Sequence, residues 1–356
     1  MLFRSVRQDC ANYSELYGFC EQKSLAQGVN PIGESLDRIL VTGATGFVGR
    51  TLVDLLVLQG KPSVRVALRR EGPPWPETVE RVYVKDLAPD NDWAKSLDGV
   101  TVVVHTAARV HVMQDKSSSP LTEFRRINVQ GTLNLARQAA AAGVRRFVFI
   151  SSIKVNGELT QLGSPFTADD EPAPLDAYGV SKMEAEQGLR DIAAQTGMEV
   201  VIVRPPLVYG PGVKANFAAM MRWLRRGLPL PLGAIHNQRS LVALDNLVDL
   251  IVTCLAHPAA ANQTFLVSDG EDVSTTELLR RMGQAMGHPA RLIPVPASWL
   301  KLAASMVGKK DVAQRLCGSL QVDITKTRQL LGWAPPASVD QGLKKAAEGY
   351  LRETAV

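Results

Sequence analysis

The stretch Ile39-Leu-Val-Thr-Gly-Ala-Thr-Gly-Phe-Val-Gly49 decides the fold of this chain. An apolar strand ending at Thr42 leads into three glycines, and apolar residues at helical spacing follow. A sharp turn from strand to helix needs a residue that tolerates positive φ, and Gly43 can supply it. A Cβ at Gly46 would hinder a phosphate, and Gly49 lets the helix pack on the strand. The alternative is a purely structural turn, but the flanking strand and helix favour a nucleotide-binding loop.

Composition excludes several other classes of protein. The chain has 356 residues, 46% hydrophobic and 21% charged, with a net charge of +5. Its basic residues are scattered along the chain, so the sequence does not predict a nucleic-acid-binding surface. The four cysteines have no ligand spacing, and we find no apolar run of 18 residues and no signal-peptide core. These features predict a cytoplasmic protein without a membrane span and with reduced thiols.

Strands and helices alternate beyond the glycine loop, which predicts an α/β fold with a Rossmann-type, doubly wound parallel sheet. The alternation stops after Arg204-Pro-Pro. The organisation predicted is a poorly ordered tail (1–36), a dinucleotide-binding domain (37–205, with 236–270 returning to it) and a smaller C-terminal substrate-binding lobe (206–235 and 271–350). The strands predicted are Val64 to Leu68, Val82 to Val84, Val100 to His105, Arg146 to Ile150 and Glu199 to Val203.

Three residues are candidates for proton chemistry. Tyr178 and Lys182 are four apart, so they share one face of a predicted helix. A cation beside a phenol should lower the pKa of Tyr178 and make it an acid and base near neutral pH. Ser152, at the carboxyl end of the fifth strand, is placed to hydrogen-bond the same substrate oxygen. The helix that carries Tyr178 and Lys182 is predicted to follow the fifth strand of a dinucleotide-binding fold. This position favours a catalytic role for the two residues over a chance pair on the protein surface.

From about Ile39 to Leu343, these motifs resemble the extended short-chain dehydrogenase/reductases that act on nucleotide sugars, the NAD-dependent epimerase/dehydratase family. The resemblance implies that Tyr178 is the acid/base, Lys182 holds the nicotinamide ribose and Ser152 binds the reacting oxygen. The other implied cofactor contacts are Gly43, Thr45, Gly46, Phe47, Val48, Gly49, Asp86, Leu87, Ala107, Ala108 and Pro205. The implied substrate contacts are Ser152, Lys154, Asn216 and Arg239. The family also implies a homodimer.

Two departures from the family pattern bear on chemistry. Members that use NAD usually carry an acid at the end of the second strand, where this chain has Leu68 followed by Arg69-Arg70. Guanidinium groups would favour the 2′-phosphate of NADP, so NAD and NADP both stay open, with a solvated basic turn as the alternative for Arg69. The 4,6-dehydratases have an Asp-Glu pair where this chain has Ile153 and Lys154, which strongly disfavours dehydration. No metal is expected, and His105 is interpreted as strand packing.

The function predicted is oxidoreduction at C4 of a UDP-sugar. The stretch Phe147 to Gly157 resembles bacterial surface-polysaccharide members, among them the 4-keto reductases that produce UDP-N-acetylquinovosamine. We therefore expect a 4-keto reductase of a UDP-6-deoxy-N-acetylhexosamine, with a UDP-hexose or UDP-N-acetylhexosamine 4-epimerase as the first alternative. A reductase of a lipophilic carbonyl and a non-catalytic dinucleotide-binding regulator are the other two alternatives.

Overall fold

A computed structural model describes residues 38–60, 63–110, 119–308 and 310–355. The predicted tail (1–36) lies outside these residues. The strands are β1 (Arg38–Thr42), β2 (Ser63–Leu68), β3 (Val79–Tyr83), β4 (Val102–His105), β5 (Arg146–Ile150), β6 (Glu199–Arg204), β7 (Leu207–Tyr209), β8 (Arg239–Ala243), β9 (Thr264–Leu266) and β10 (Asp272–Val273).

Helices separate most of these strands. In chain order they are α1 (Phe47–Leu58), α2 (Ala94–Leu97), α3 (Pro120–Phe124), α4 (Thr132–Ala141), α5 (Ala177–Thr196), α6 (Ala215–Arg225), α7 (Leu244–Ala256), α8 (Thr275–Ala285), α9 (Ala297–Met306), α10 (Lys310–Cys317), α11 (Thr325–Leu331) and α12 (Val339–Ala355). None of the helices in the described part of the chain is both long enough and apolar enough to cross a membrane.

Seven strands form one parallel sheet in the order β3-β2-β1-β4-β5-β6-β9. The chain order reverses at β1, which pairs with β2 on one side and β4 on the other, so Thr42 lies opposite both Ala67 and His105. A crevice forms at such a switch point, outside the carboxyl ends of the strands. The predicted Rossmann-type α/β fold is confirmed.

Both faces of this sheet are buried, as the β-branched strands predict. Val41, Val104 and Val148 point to one face and pack with α1 and α7. Leu40, Val103 and Phe147 point to the other face and pack with α4 and α5. Side chains alternate between the two faces along each strand, so only one pairing register directs these residues into both core clusters. That register also determines which residues of neighbouring strands end side by side.

A second, smaller sheet has the order β10-β8-β7 and was not predicted. Strand β7 follows β6 after Pro205 and Pro206 and pairs with β8, so the chain leaves the large sheet and enters the small one within a few residues. Helices α6, α8 and α12 pack around a third core cluster that includes Tyr209, Phe217 and Leu343. The division into two domains with the boundaries given above stays a prediction.

A π-helical segment, Arg125–Gly131, lies between α3 and α4. Within that segment, Asn128 is fully buried and its amide group bonds the backbone of Arg109 and the hydroxyl of Ser181. Segments of this kind are frequent at functional sites. Here the segment attaches the chain that follows β4 to helix α5.

Candidate active site

The glycine loop lies at the carboxyl end of β1, at the switch point of the large sheet. Gly43 has φ +70°, and a Cβ there would lie 2.6 Å from the backbone nitrogen of Ala107. A Cβ on Gly49 would lie 2.3 Å from the carbonyl oxygen of Gly43. Both positions therefore require glycine, because strand β1, helix α1 and the chain after β4 approach one another closely.

Helix α1 begins directly after this loop and keeps its first N–H groups free of side-chain caps. Gly46 is the N-cap residue and has no side chain that could accept a hydrogen bond from the first turn. Thr45 and Gly46 are exposed, whereas Phe47 and Val48 are half-buried against the core. Free N–H groups and the positive end of the helix dipole suit a phosphate anion. These residues fit the pyrophosphate of a dinucleotide cofactor.

The ends of β2 and β3 supply polar groups farther along the same edge. Asp86 accepts a hydrogen bond from the N–H of Leu87 at 2.8 Å, and Arg69 Nη1 lies 3.5 Å from the same carboxylate oxygen. Arg69 is thus not an isolated cation, which weakens the argument that it selects a 2′-phosphate. Leu87 is buried in the core, and Ala107 and Ala108, after β4, are half-buried.

His105 is a packing residue, as predicted. Its ring accepts or donates hydrogen bonds at 2.7 Å to Thr42 and at 2.9 Å to Thr132, and it contacts the rings of Phe147 and Phe149. Burial, with the charge of Lys182 as a smaller cause, lowers the pKa of His105 to about 3. The imidazole is therefore neutral, and it joins the ends of β1 and β4 to helix α4.

Two adjacent serines at the end of β5 have different environments. Ser151 is buried and its hydroxyl donates a 2.6 Å hydrogen bond to Glu186. Ser152 is half-buried, and its hydroxyl oxygen accepts a hydrogen bond from the N–H of Lys154 at 3.3 Å. Ser152 keeps its own proton available for a substrate oxygen, because a hydroxyl both donates and accepts. Next to it, buried Pro205 accepts a hydrogen bond from the N–H of Ile153.

Helix α5 places Tyr178 and Lys182 on one face. The ammonium of Lys182 lies 6.0 Å from the centre of the Tyr178 ring and 4.4 Å from that of Phe149, and it donates a 2.8 Å hydrogen bond to the carbonyl of Ile150. The ring of Phe124 contacts Tyr178 edge-on at 6.0 Å between ring centres. Lys182 is therefore anchored to the end of β5, beside the serines.

The electrostatics of this pair differ from the sequence prediction. Burial lowers the pKa of Lys182 to about 7, opposed by the nearby carboxylate of Glu186. Burial, and secondly the charge of Asp176, raises the pKa of Tyr178. The prediction that Lys182 lowers the pKa of Tyr178 is wrong here, because desolvation of the phenolate outweighs a cation whose own charge is weakened by burial.

Lys154, predicted to contact substrate, is bound to the protein itself. Its ammonium pairs with Asp176 and lies 3.3 Å from Glu158. Asp176 is also the N-cap of α5 and accepts a 2.7 Å hydrogen bond from the N–H of Gly179. A Cβ on Gly179 would lie 2.8 Å from the carbonyl oxygen of Lys154. The turn that carries Ser152 is thus packed tightly against the first turn of α5, which carries Tyr178.

Beneath these residues lies a buried ion pair that the sequence analysis missed. Glu186 is fully buried and accepts hydrogen bonds from Arg204 at 2.9 and 2.6 Å, while Arg204 also donates to Asn156 at 2.9 Å. Together with Ser151, these groups connect α5, β6 and the turn after β5. The spacing of the residues could have indicated part of this cluster, because Glu186 lies one helical turn after Lys182 on the same face of α5.

Asn216 and Arg239 lie on other elements, at the start of α6 and of β8. Asn216 is exposed. Arg239 is half-buried, and desolvation lowers its pKa. Its guanidinium donates to the carbonyls of Arg315 at 2.9 Å and Gly318 at 3.1 Å. Among the described residues no carboxylate pairs with Arg239. A half-buried guanidinium without a carboxylate partner suits an anionic ligand.

Comparison with known proteins agrees with this geometry. Residues 39–268 match the family described as the NAD dependent epimerase/dehydratase family. The chain belongs to that family. It is 51% identical over 320 residues to a UDP-glucose 4-epimerase of Vibrio cholerae, an alignment that covers 88% of this chain and 95% of the relative.

Solved structures show the same fold at lower sequence identity. The UDP-glucuronic acid 4-epimerase of Bacillus cereus, solved in complex with NAD, superposes with a TM-score of 0.72 at 20% identity, covering 89% of this chain and 99% of that one. The UDP-glucose 4-epimerase of Thermotoga maritima, solved with UDP-glucose, gives a TM-score of 0.70 at 22% identity and covers 90% of this chain and 100% of its own. At this level of identity the similarity concerns the fold.

Proposed function

We propose that the protein is a UDP-hexose 4-epimerase of the cytoplasm that keeps NAD bound through its catalytic cycle. The observation that carries this proposal is the 51% identity to a UDP-glucose 4-epimerase over 95% of its length. The chain keeps Ser152, Tyr178 and Lys182 in one structural unit, with the glycine loop at the same sheet edge. The sequence motifs alone favour a single reduction, and the similarity to an epimerase favours two opposite half-reactions instead.

The residues of the chain have distinct roles in this reaction. Tyr178 takes the proton of the C4 hydroxyl and later returns it to the C4 oxygen, while the hydroxyl of Ser152 donates a hydrogen bond to the same oxygen. Bound at the glycine loop, NAD would supply the hydride acceptor and donor for C4. Lys182 holds positive charge near the phenol and is fixed by the carbonyl of Ile150. The raised pKa of Tyr178 keeps the phenol protonated in the protein without ligands, which suits the half-reaction in which it donates to the C4 oxygen. In the opposite half-reaction the phenol must first lose this proton before it can accept that of the C4 hydroxyl.

Inversion at C4 requires that the 4-keto sugar intermediate rotate within the active site without dissociating from the enzyme. Anchoring the UDP diphosphate apart from the reacting carbon meets this requirement, because the hexose can then rotate about its link to the diphosphate. Arg239 and Asn216 are the residues proposed for that anchor, and they lie outside the unit that holds Tyr178. The uncompensated charge of Arg239 also argues against a lipophilic carbonyl as the substrate.

Replacement of Arg239 tests the anchor. We expect Arg239→Gln to raise the KM for UDP-glucose about 10- to 100-fold, since a charge-assisted hydrogen bond contributes about 1.5–3 kcal/mol, with a much smaller change in kcat. Steady-state kinetics measures both constants. Arg280→Gln, at an exposed arginine on α8, is the matched control and should leave KM unchanged. An unchanged KM in Arg239→Gln would place the diphosphate elsewhere.

The proposed function itself is tested without added cofactor. Purified protein incubated with UDP-glucose or UDP-galactose should reach the same equilibrium mixture from both sides, with the sugars identified by NMR. Parallel reactions with UDP-N-acetylglucosamine and UDP-N-acetylgalactosamine determine whether a 2-acetamido group is accepted. Failure to interconvert either pair would contradict the epimerase proposal.

A 4-keto reductase is the second candidate, and one observation favours it. Strand β2 ends at the buried Leu68, followed by the exposed side chains of Arg69 and Arg70, so the last residue of this strand offers no carboxylate to the ribose hydroxyls of NAD. Consumption of NADH or NADPH with a UDP-4-keto-6-deoxy-N-acetylhexosamine, in protein that does not epimerise UDP-hexoses, would support this candidate instead.

A further inference from the structure

Helix α9 exposes an apolar face that no described residue covers. None of its ten residues is buried. Ala297, Leu300 and Ala304 are half-buried at helical spacing and so share one side of the helix, which contacts its neighbour α10. Trp299, Leu302 and Met306 occupy a different face and are 72%, 64% and 76% exposed. Three large apolar side chains at spacings of three and four form a continuous stripe.

Further exposed apolar side chains lie on neighbouring segments. The chain before α9 runs beside the chain after α6, where Leu230 pairs with Leu292 and Ala234 with Pro296. Ile293 and Leu228 on these two segments, and Trp223 in the last turn of α6, are 45% to 48% exposed. We call residues 222–228 and 291–307 the apolar-basic surface. Large contiguous apolar patches on a protein surface mark interaction sites.

The two chain segments that carry this surface are basic. Residues 212–235 and 286–310 contain eight lysines and arginines and no aspartate or glutamate, whereas the net charge of the whole chain is only +5. The remainder of the chain is therefore net negative. Arg222, Arg225, Arg291 and Lys301 are exposed, and the guanidinium of Arg226 lies 5.8 Å from the centre of the Trp223 ring.

We propose that this apolar-basic surface docks the protein on an anionic phospholipid membrane. Helices that lie in a membrane interface combine exposed Trp and Leu with Lys and Arg, bury their apolar face at the headgroup boundary and are attracted by anionic lipids. A second copy of the chain is a poorer partner, because two such surfaces would bring like charges together. The proposal does not depend on whether the enzyme is an epimerase or a reductase.

Sedimentation with lipid vesicles tests this proposal. The full-length protein is mixed with vesicles of phosphatidylcholine alone or of equimolar phosphatidylcholine and phosphatidylglycerol. We expect binding to the anionic vesicles only, decreasing as salt is raised, because salt screens the attraction. Leu302→Glu/Met306→Glu should weaken the partition onto anionic vesicles about tenfold or more, since two apolar side chains lose their burial.

Controls separate this result from misfolding and from self-association. Leu330→Glu, at an apolar residue of α11 that is 40% exposed, should bind vesicles as the unaltered protein does. UDP-sugar turnover and the thermal midpoint of Leu302→Glu/Met306→Glu should match those of the unaltered protein. No sedimentation with anionic vesicles would overturn the proposal. A dimer in light scattering that this double variant dissociates, without vesicle binding, would assign the surface to a second copy instead.

Discussion

Tyr178→Phe is expected to lower kcat for UDP-hexose epimerisation about 10²- to 10⁴-fold, the usual contribution of a positioned acid and base. The substitution removes only the phenolic oxygen, so the edge contact with the Phe124 ring remains and substrate KM should change little. The thermal midpoint should not fall, because no hydrogen bond from the phenol to a described residue is lost. Steady-state kinetics and thermal unfolding of the same preparation measure these quantities.

A second tyrosine provides the control for Tyr178→Phe. Tyr350 lies on α12, remote from α5 in the chain, and Tyr350→Phe should keep the kcat of the unaltered protein. If Tyr178→Phe retained kcat within about twofold, proton transfer at C4 would need another residue. Lys182 would then be the first to test, since burial lowers its pKa to about 7 and allows it to exchange protons near neutral pH.

Local sequence patterns were sufficient to predict the large sheet. Among its first six strands, all but β3 are runs rich in apolar and β-branched residues, and β3 (Val-Glu-Arg-Val-Tyr) combines valine with charged residues. The strand boundaries in the structure differ from the predicted ones by up to three residues. Strand β3, for example, begins at Val79 and not at Val82. The small sheet could not be predicted in this way. Strands β7 and β10 have three and two residues, too few for periodicity, and both pair with β8 across a long stretch of chain.

The candidate site was predicted as a set of positions but not as an electrostatic environment. Residue spacing placed Tyr178 and Lys182 on one helical face, and their contact in the structure agrees. The pKa shift of Tyr178 depends on its burial and on Asp176, neither of which spacing reveals. Lys154 likewise looked available for substrate, but its partner Asp176 lies 22 residues along the chain. Such pairings arise only when the chain is folded.

Glu186→Ala is expected to lower the free energy of unfolding by about 3–5 kcal/mol, which is typical when one partner of a buried ion pair is removed. Arg204, 2% exposed, would keep its charge in the core without a carboxylate, and Ser151 would lose its hydrogen-bond acceptor. Chemical denaturation measures the loss. Arg190→Ala is a matched control, because Arg190 binds the same carboxylate at 3.1 Å but is 47% exposed, and its removal should cost less than about 1 kcal/mol.

The same substitution should also change the pH dependence of catalysis. The carboxylate of Glu186 raises the pKa of Lys182 against the larger effect of burial, so its loss should move that pKa below about 7. Lys182 would then lose its proton at lower pH, and the alkaline decline of kcat in Glu186→Ala should begin at lower pH than in the unaltered protein. Glu186→Leu/Arg204→Met should recover stability, because an apolar pair leaves no buried charge, but should keep the displaced pH profile. Recovery of both properties would mean that Glu186 acts only through Arg204, and not on Lys182.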